Sequence, residues 1–320
     1  MALPCQWTTL TSAQIQHYLD HPPLRWPGSV SLTDSLTLHS LTFHIYDQLA
    51  STNQTLWELM RQGATAGTVA IARQQSAGKG QWGRQWQSSL GGLYLSAALE
   101  PQLPVQNSPH LILSTVCGVA LALRACQLPV SIKWPNDLVV EVPSSSQSPA
   151  QLYKVGGILT ETRIQGQTIG QAIVGIGLNG ANCVPEPGIT LVDLWSQLQG
   201  NQPLPQPLPQ PLASLNGLAA IAIHGIYSGW QRLQMEGIDA ILRDYNHLFI
   251  HRDRILNIEW EGRWQWIQIL NIDASGYLRV RPTLKPGDPT DGDGTSSLLQ
   301  ASREEIQIPP GTIQLGYCTS

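Results

Sequence analysis

The feature that most constrains the fold is a glycine-rich loop, residues 76–92, lying between two strand-like segments, TVAIARQQ and LYLSAAL. The loop contains G-x-G-x-x-G at 78–83, and the same spacing recurs at 175–180. A dinucleotide-binding fingerprint must open a helix whose N-terminus meets the pyrophosphate. Here both copies lead into loops. The pattern therefore argues against a Rossmann fold and against a dinucleotide-dependent dehydrogenase.

The remaining periodicity predicts an α+β protein. Strands, hairpins and long helices follow one another between residues 41 and 250 without a regular βαβ repeat, which favours a mixed sheet with packed helices. S-x-x-Q at 51–54 predicts a capping box at a helix start. From Asp253 the apolar period becomes two, which indicates a small β-barrel-like domain. The predicted domains are an N-terminal extension (1–38), a main domain (39–250) with a proline-rich insertion (199–212), and a C-terminal domain (251–320).

Composition and charge narrow the class of protein. The chain has 320 residues, 42% of them hydrophobic, and a net charge of −4, so it can bury a core but has no global attraction for nucleic acid or anionic membranes. No signal-peptide pattern is visible, and the apolar run Leu111–Leu123 is short for a bilayer span. The sequence thus predicts a cytoplasmic protein without DNA or membrane partners.

Metal and disulfide chemistry have weak signals. The five cysteines include no C-x-x-C pair, which suggests neither a disulfide framework nor a zinc site. His247 and His251 have H-x3-H spacing but no partner carboxylate pattern, so we interpret them as helix-surface histidines.

Candidate chemistry is concentrated in cations near glycine or proline. Lys79 and Arg84 lie in the glycine-rich loop and can meet phosphate or carboxylate oxygens, although a flexible loop with solvated charges explains this segment equally well. In KWPND (133–137), Lys133 could meet a phosphate and Asp137 could bind Mg²⁺. Lys154 precedes two glycines that leave space against the sheet. Each lysine alone could also be an ordinary surface charge.

Taken together, these segments resemble the biotin protein ligases, in the monofunctional form without a DNA-binding domain. The resemblance rests on five motifs in the same order, STNQ (51–54), QQSAGKGQWGRQW (74–86), KWPND (133–137), KVGGIL (154–159) and GIGLN (175–179). It implies a biotin-lipoate ligase fold, related to class II synthetases, with a C-terminal SH3-like barrel.

The resemblance also implies a reaction. Biotin and ATP would form biotinyl-5′-AMP with Mg²⁺, and a lysine of the biotin carboxyl carrier protein of acetyl-CoA carboxylase would then accept the biotin. The residues implied to bind biotin are Ser51, Thr52, Asn53, Gln75, Lys79, Gly80, Gln81, Trp86, Lys154 and Gly157. Those implied to bind ATP are Lys79, Arg84, Lys133, Asn136 and Asn179, the catalytic residues are Lys154, Asp137 and Arg84, and Asp137 is the implied Mg²⁺ ligand.

Two departures from the family pattern matter. The family loop reads G-R-G-R-x-G-R, whereas Lys79 and Gln81 replace its first two arginines, which would weaken retention of the adenylate. The first 40 residues are also too short and proline-broken for a winged helix, so no repressor activity is expected. Because the implied biotin residues precede residue 180, we expect the C-terminal barrel to be a lid or docking surface outside the pocket. Homodimer formation stays open.

Two alternatives remain. A lipoate protein ligase or octanoyltransferase would share the core and its lysine, although KWPND and the glycine-rich loop favour biotin. A non-catalytic biotin-binding regulator would keep the biotin contacts but would not need Asp137 and Lys154.

Overall fold

The computed structural model describes residues 3–22, 41–142, 150–200, 207–285 and 304–317. A mixed sheet with packed helices forms the larger part, and a separate antiparallel sheet forms the C-terminal part. The predicted α+β class is therefore confirmed. The predicted domain boundaries stay predictions, and parts of the N-terminal extension (23–38) and of the proline-rich insertion (201–206) lie outside the described residues.

The main sheet has eight strands in the order β1-β2-β3-β8-β7-β6-β5, with the short β4 paired to β8. Only β1 and β2 run parallel among these pairs. The turns at 135–136 and 165–166 both join antiparallel neighbours. The strands are β1 (Thr42–Leu49), β2 (Thr68–Gln75), β3 (Leu93–Leu99), β4 (Leu103–Pro104), β5 (Val130–Lys133), β6 (Asp137–Val142), β7 (Gln151–Gln165) and β8 (Thr168–Leu178).

Six helices accompany this sheet in the described part of the chain. They are α1 (Ser12–Asp20), α2 (Thr52–Arg61), α3 (Ser108–Ala125), α4 (Leu191–Gln199), α5 (Leu215–Glu236) and α6 (Ile238–Leu248). The sequence did not lead us to predict α4, although Thr190 marks its start by accepting a hydrogen bond from the backbone N–H of Asp193 at 3.0 Å. The capping box predicted at Ser51 does not form, since this residue precedes α2 without a side-chain cap.

The apolar helix α3 packs closely against α5. A Cβ atom at Gly118 would lie 2.0 Å from the carbonyl oxygen of Gly225, so only glycine allows the two backbones to approach this closely. By length and composition the segment Val105–Ala125 could cross a membrane, contrary to the estimate from its apolar run, but most of it is buried inside the protein. Burial of this kind is typical of a core helix.

The C-terminal sheet has the order β12-β11-β10-β9 and is fully antiparallel. Its strands are β9 (Ile255–Trp260), β10 (Arg263–Ile272), β11 (Leu278–Pro282) and β12 (Ile306–Ile308). It contacts the main domain where the indole N–H of Trp134 donates to the carbonyl of Gly276 at 2.9 Å. His251, at this junction, has 0% exposure, so the interpretation of it as a helix-surface histidine is wrong.

Candidate active site

A cavity of about 540 Å³ lies between the main sheet, the glycine-rich loop, the turn joining β5 to β6, and the segment 311–317. This volume is in the usual range for a small-molecule site. The structure brings all but one of the predicted site residues to its lining, namely Ser51, Thr52, Asn53, Gln75, Lys79, Gly80, Gln81, Arg84, Trp86, Lys133, Asn136, Asp137, Lys154 and Gly157.

One end of the cavity is a buried hydrogen-bond network at the start of α2. The backbone N–H and the hydroxyl of Thr52 donate to Oε1 of Gln75 at 2.8 and 3.2 Å. The amide of Gln75 in turn donates to Ser88 at 2.8 Å. Because these groups hold one another, the polar atoms that face the cavity are fixed before any ligand arrives.

Sequence reasoning missed Ser96, which lies on β3 beneath this network. Its hydroxyl donates to Oδ1 of Asn53 at 2.6 Å and lies 2.7 Å from Oγ1 of Thr52. A Cβ atom at Gly175 would lie 2.2 Å from the same Oδ1, so the missing side chain makes room for the amide. Among the described residues, the Nδ2 group of Asn53 has no partner although it is buried. A buried donor of this kind favours a ligand that carries an acceptor.

The indole of Trp86 covers the sheet between the two ends of the cavity. It packs over the paired glycines Gly157 and Gly177, where a Cβ atom at Gly177 would lie 2.5 Å from the ring. Its buried Nε1 also lacks a hydrogen-bond partner in the described part of the chain. The side chain of Trp86, which the resemblance implies to bind biotin, is therefore positioned by glycines on two neighbouring strands.

The other end of the cavity is a charged cluster around Asp137. Nζ of Lys154 lies 2.6 Å from Oδ1 of Asp137, and Nζ of Lys133 lies 3.8 Å from Oδ2. Burial lowers the pKa of Lys133 from its usual range, and the charge of Asp137 opposes that change. Asn136 lies beside the cluster and donates from Nδ2 to the carbonyl of Ile158 at 2.5 Å.

A β-bulge brings Lys154 into this cluster. Leu138 pairs with Gly156 and Val139 pairs with Lys154, so β7 carries one extra residue, Val155, at this point. Residues three apart on a regular strand face opposite sides of the sheet, and the extra residue reverses that relation. Cε of Lys154 therefore lies 3.5 Å from the position of a Cβ atom at Gly157.

The predicted nucleotide residue Asn179 does not line the cavity. It is buried, and its Nδ2 donates to the backbone carbonyl of Lys154 at 3.1 Å. Its backbone N–H also donates to Val155 at 2.8 Å. Asn179 therefore holds the bulge that presents Lys154, and its assignment to ATP stays a prediction that the geometry does not favour.

The glycine-rich loop presents its charged groups to solvent. Lys79 lies 3.8 Å from Glu161 of β7, and its side chain is about half exposed. Arg84 is exposed at the cavity rim, and Gln81 and Trp82 also line the cavity. Four cations and one carboxylate line this cavity in a chain whose net charge is −4. The local field therefore favours an anionic ligand.

The contacts of Asp137 do not suit a metal ligand. Both of its oxygens are engaged by ammonium groups and a tyrosine hydroxyl, and no other carboxylate of the described residues lines the cavity. Magnesium prefers several oxygen ligands and few neighbouring cations. No cluster of three or more His, Cys, Asp or Glu side chains occurs among the described residues. The Mg²⁺ assignment stays a prediction without support from this geometry.

The C-terminal domain contributes directly to the cavity, contrary to the expectation that the barrel lies outside the pocket. The lining includes Gly311, Ile313, Gln314, Leu315, Gly316 and Tyr317. The hydroxyl of Tyr317 donates to Oδ2 of Asp137 at 2.7 Å. These two residues are 180 positions apart, so no local pattern in the sequence could have joined them.

Comparison with known proteins agrees with this arrangement. The model of the biotin/lipoate A/B protein ligase family matches residues 45–179. This segment of the chain is therefore similar to that family. The matched residues include every predicted site residue and both ends of the cavity, but they exclude the C-terminal segment 311–317.

Curated relatives in the family match over part of their length. The bifunctional ligase/repressor BirA of Bacillus subtilis is 35% identical over 136 residues, which cover 42% of this chain and 39% of that protein. The biotin–[acetyl-CoA-carboxylase] ligase of Paracoccus denitrificans is 30% identical over 158 residues, 44% of this chain and 59% of that protein. The chain thus spans less than two thirds of the length of these relatives.

Solved structures share the fold. A biotin protein ligase from Aquifex aeolicus in complex with biotin and ATP superposes with a TM-score of 0.57 at 21% identity, covering 76% of this chain and 96% of that chain. The apo structure of the ligase from the same organism gives a TM-score of 0.58 at 18% identity, with 87% and 100% covered. Because the apo structure is covered completely, the superposition includes both of its ends.

Proposed function

We propose that this protein is a biotin protein ligase. It activates biotin with ATP to form biotinyl-5′-AMP and pyrophosphate, and it then transfers the biotinyl group to a lysine of the biotin carboxyl carrier protein of acetyl-CoA carboxylase. The name of the Paracoccus relative supports this substrate class. The proposal extends from the family to this chain's activity, substrates and partner.

One observation carries the proposal: a single cavity joins a fixed polar network to a cluster of two lysines and one aspartate. The Asn53 end offers an unpartnered amide donor, and the Lys154 end offers positive charge. Biotin has a ureido group at one end and a carboxylate at the other. The two ends of the cavity therefore match the two polar ends of biotin, and the region under Trp86 matches its apolar middle.

The polar end separates biotin from the ligands of the alternative family members. Lipoate and octanoate end in a dithiolane or a methyl group, which would leave the buried donor of Asn53 unpaired. An unpaired buried donor costs about 1–3 kcal/mol. The network of Thr52, Gln75 and Ser96 therefore favours biotin over those acyl chains.

The charged end supports the first chemical step. A carboxylate oxygen of biotin attacks the α-phosphorus of ATP, and the bond from this phosphorus to the bridging oxygen breaks as pyrophosphate leaves. Lys154 would hold the carboxylate against the phosphate, while Lys133 and Arg84 would offset the charge that develops on phosphate oxygens. Asp137 would keep both lysines in place.

The second step uses biotinyl-5′-AMP, the mixed anhydride that the first step forms. A neutral lysine amine of the carrier attacks the carbonyl carbon, the bond to the AMP oxygen breaks, and AMP leaves while the amine loses a proton. Lys79 and Arg84 lie at the open rim, where they could hold the AMP phosphate during the attack. A role for Mg²⁺ in the first step stays a prediction from the sequence.

The test is ATP–pyrophosphate exchange with biotin, lipoate and octanoate as separate substrates. We expect label from pyrophosphate to enter ATP only with biotin. Exchange with lipoate or octanoate alone would support the other branch of the family, and biotin binding without exchange would support a non-catalytic regulator. Transfer is then measured as avidin-detected label on the purified carrier domain, with a carrier lacking its acceptor lysine as the control.

The remaining expectations belong to this proposal. A cytoplasmic location, independence from DNA and membranes, and the open alternative of a homodimer all stay predictions from the sequence. Co-purification with the carboxylase and gel filtration of the substrate-bound protein would test the partner and the oligomeric state.

A further inference from the structure

The hydroxyl of Tyr317 occupies one of the two oxygens of the central carboxylate. Oδ2 of Asp137 accepts its hydrogen bond at 2.7 Å, while Oδ1 pairs with Lys154 at 2.6 Å. Lys133 then remains 3.8 Å from Oδ2, and its ammonium lies 4.5 Å from the centre of the Tyr317 ring. One tyrosine thus contacts both members of the Lys133–Asp137 pair.

This contact determines which partner each oxygen of Asp137 meets. A carboxylate that faces two ammonium groups can rotate to bind either one more closely. The hydrogen bond from Tyr317 fixes the rotation so that Oδ1 meets Lys154. The ring provides Lys133 with a second, weaker attraction on its face. Both ammonium groups are therefore held apart at defined positions.

Tyr317 ends a segment in which buried and exposed residues alternate. Ile313 and Leu315 have 6% and 2% exposure, whereas Gln314 and Gly316, the residues that follow them, are exposed. This alternation puts Tyr317 in phase with the two buried residues. The residue after Lys133, Trp134, donates a hydrogen bond to Gly276 and so connects the turn between β5 and β6 to the C-terminal domain.

We infer that Tyr317 is a positioning residue for adenylation, which acts through Asp137 and Lys133 and makes the site incomplete without the C-terminal segment. The inference rests on the proposed function. The family match ends at residue 179, whereas the lining of the cavity continues to Tyr317. The hydroxyl and the ring of Tyr317 have different roles, so separate substitutions can test them.

The experiment compares the full-length wild type with Tyr317→Phe, which keeps the ring and removes the hydroxyl, and with Tyr317→Leu, which removes both. The matched control is Tyr153→Phe on β7, whose hydroxyl donates to Gln151 outside the cavity. Each protein is tested for biotin-dependent pyrophosphate exchange, with kcat and the KM for biotin measured separately and folding checked by thermal melting.

We expect Tyr317→Phe to lower kcat about ten-fold, as for loss of one hydrogen bond to a charged group. The KM for biotin should stay within about two-fold, since the network at Asn53 is untouched, and Tyr317→Leu should lose more activity than Tyr317→Phe. A purely structural role predicts instead that all losses follow the melting temperature.

Two further outcomes would also overturn the inference. If wild-type exchange is biotin-dependent and Tyr317→Phe retains a kcat within about two-fold of it, or loses activity only through the KM for biotin, Tyr317 does not position the cluster while the proposed function stands. If the wild type shows no biotin-dependent exchange, the proposed function fails and the inference fails with it.

Discussion

The ammonium of Lys154 lies 2.6 Å from Oδ1 of Asp137, across a β-bulge that one extra residue in β7 creates. The same ammonium lies 5.1 Å from the centre of the Trp86 ring. A bulge beside a catalytic group is a common way to redirect a side chain without disturbing the rest of a sheet. The predictions below follow from this cluster and from the contacts that surround it.

Lys154→Ala should lower biotin-dependent pyrophosphate exchange by about 100- to 1,000-fold, because it removes a preorganised charge from the reacting oxygens. The fold should persist, since the side chain of Lys154 is partly exposed and lies in the cavity lining rather than in the apolar core. Lys285→Ala removes an exposed lysine elsewhere and is the control. Near-normal exchange in a folded Lys154→Ala protein would remove Lys154 from the chemistry.

Gln81→Arg should slow the dissociation of biotinyl-AMP about ten-fold, because a charge-assisted contact would be added at the cavity wall. The measurement is the off-rate of preformed adenylate, chased with unlabelled ligand. Gln87→Arg adds the same charge at an exposed position outside the lining and controls for net charge. An unchanged or faster off-rate for Gln81→Arg would mean that residue 81 does not face the ligand phosphate.

Ser96→Ala should raise the KM for biotin about ten-fold and leave the KM for ATP unchanged, because the amide of Asn53 loses the donor that orients it. Ser114→Ala is a closely matched control, since Ser114 is equally buried but donates to a backbone carbonyl inside α3. Both variants remove a buried hydroxyl. Equal effects of the two variants on the KM for biotin would contradict the role of Ser96.

Gly311→Ala should disturb the contact between the C-terminal segment and the glycine-rich loop. A Cβ atom at Gly311 would lie 2.6 Å from the indole of Trp82, which is exposed and can swing away. We expect Gly311→Ala and Trp82→Ala each to raise the KM for ATP, and the double variant to be no worse than either, with a coupling of about 0.5–3 kcal/mol.

Gly262→Ala is the control for this cycle. Both glycines have a positive φ, +73° at Gly262 and +89° at Gly311, but nothing lies within 4 Å of a Cβ atom at Gly262. The control therefore reports backbone strain without a collision. Additive effects of Gly311→Ala and Trp82→Ala, or an equal rise in KM for Gly262→Ala, would show that the contact does not matter.

Acidification should destabilise the protein through buried neutral histidines. Burial, assisted by the charges of Lys133 and Arg254, lowers the pKa of His251 to about 3, and burial lowers the pKa of His224 to about 4. The unfolded chain binds a proton at each site below about pH 6.5 whereas the folded chain does not. The free energy of unfolding therefore falls with decreasing pH, by about 1.4 kcal/mol per unit for each histidine, until the folded pKa is reached.

Urea unfolding between pH 7.5 and 5 measures this slope. His251→Gln should reduce the slope below pH 6.5 by about 1.4 kcal/mol per unit, because one of the two sites is removed. His247→Gln, at an exposed position at the end of α6, is the control for the change from histidine to glutamine. The same slope in His251→Gln and wild type would show that His251 is not buried as a neutral group.

The sequence by itself determined most secondary elements and the charged residues of the cavity. Apolar periodicity and turn residues act over a few positions, so β5 to β8, α3, α5 and α6 could be predicted from local patterns. The ordered motifs likewise predicted Asn53, Trp86, Asp137 and Lys154, since each lies in a short conspicuous segment. A weaker local signal, the cap at Thr190, was present but overlooked.

Only the tertiary structure decided which of these groups touch. Ser96 meets Thr52 across 44 positions, and Tyr317 meets Asp137 across 180, through contacts between strands or domains that no local pattern encodes. The bulge at Val155 similarly depends on pairing between β6 and β7. Side-chain direction and burial follow from long-range packing. The arrangement in which one oxygen of Asp137 pairs with Lys154 and the other accepts a hydrogen bond from Tyr317 therefore exists only in the folded chain.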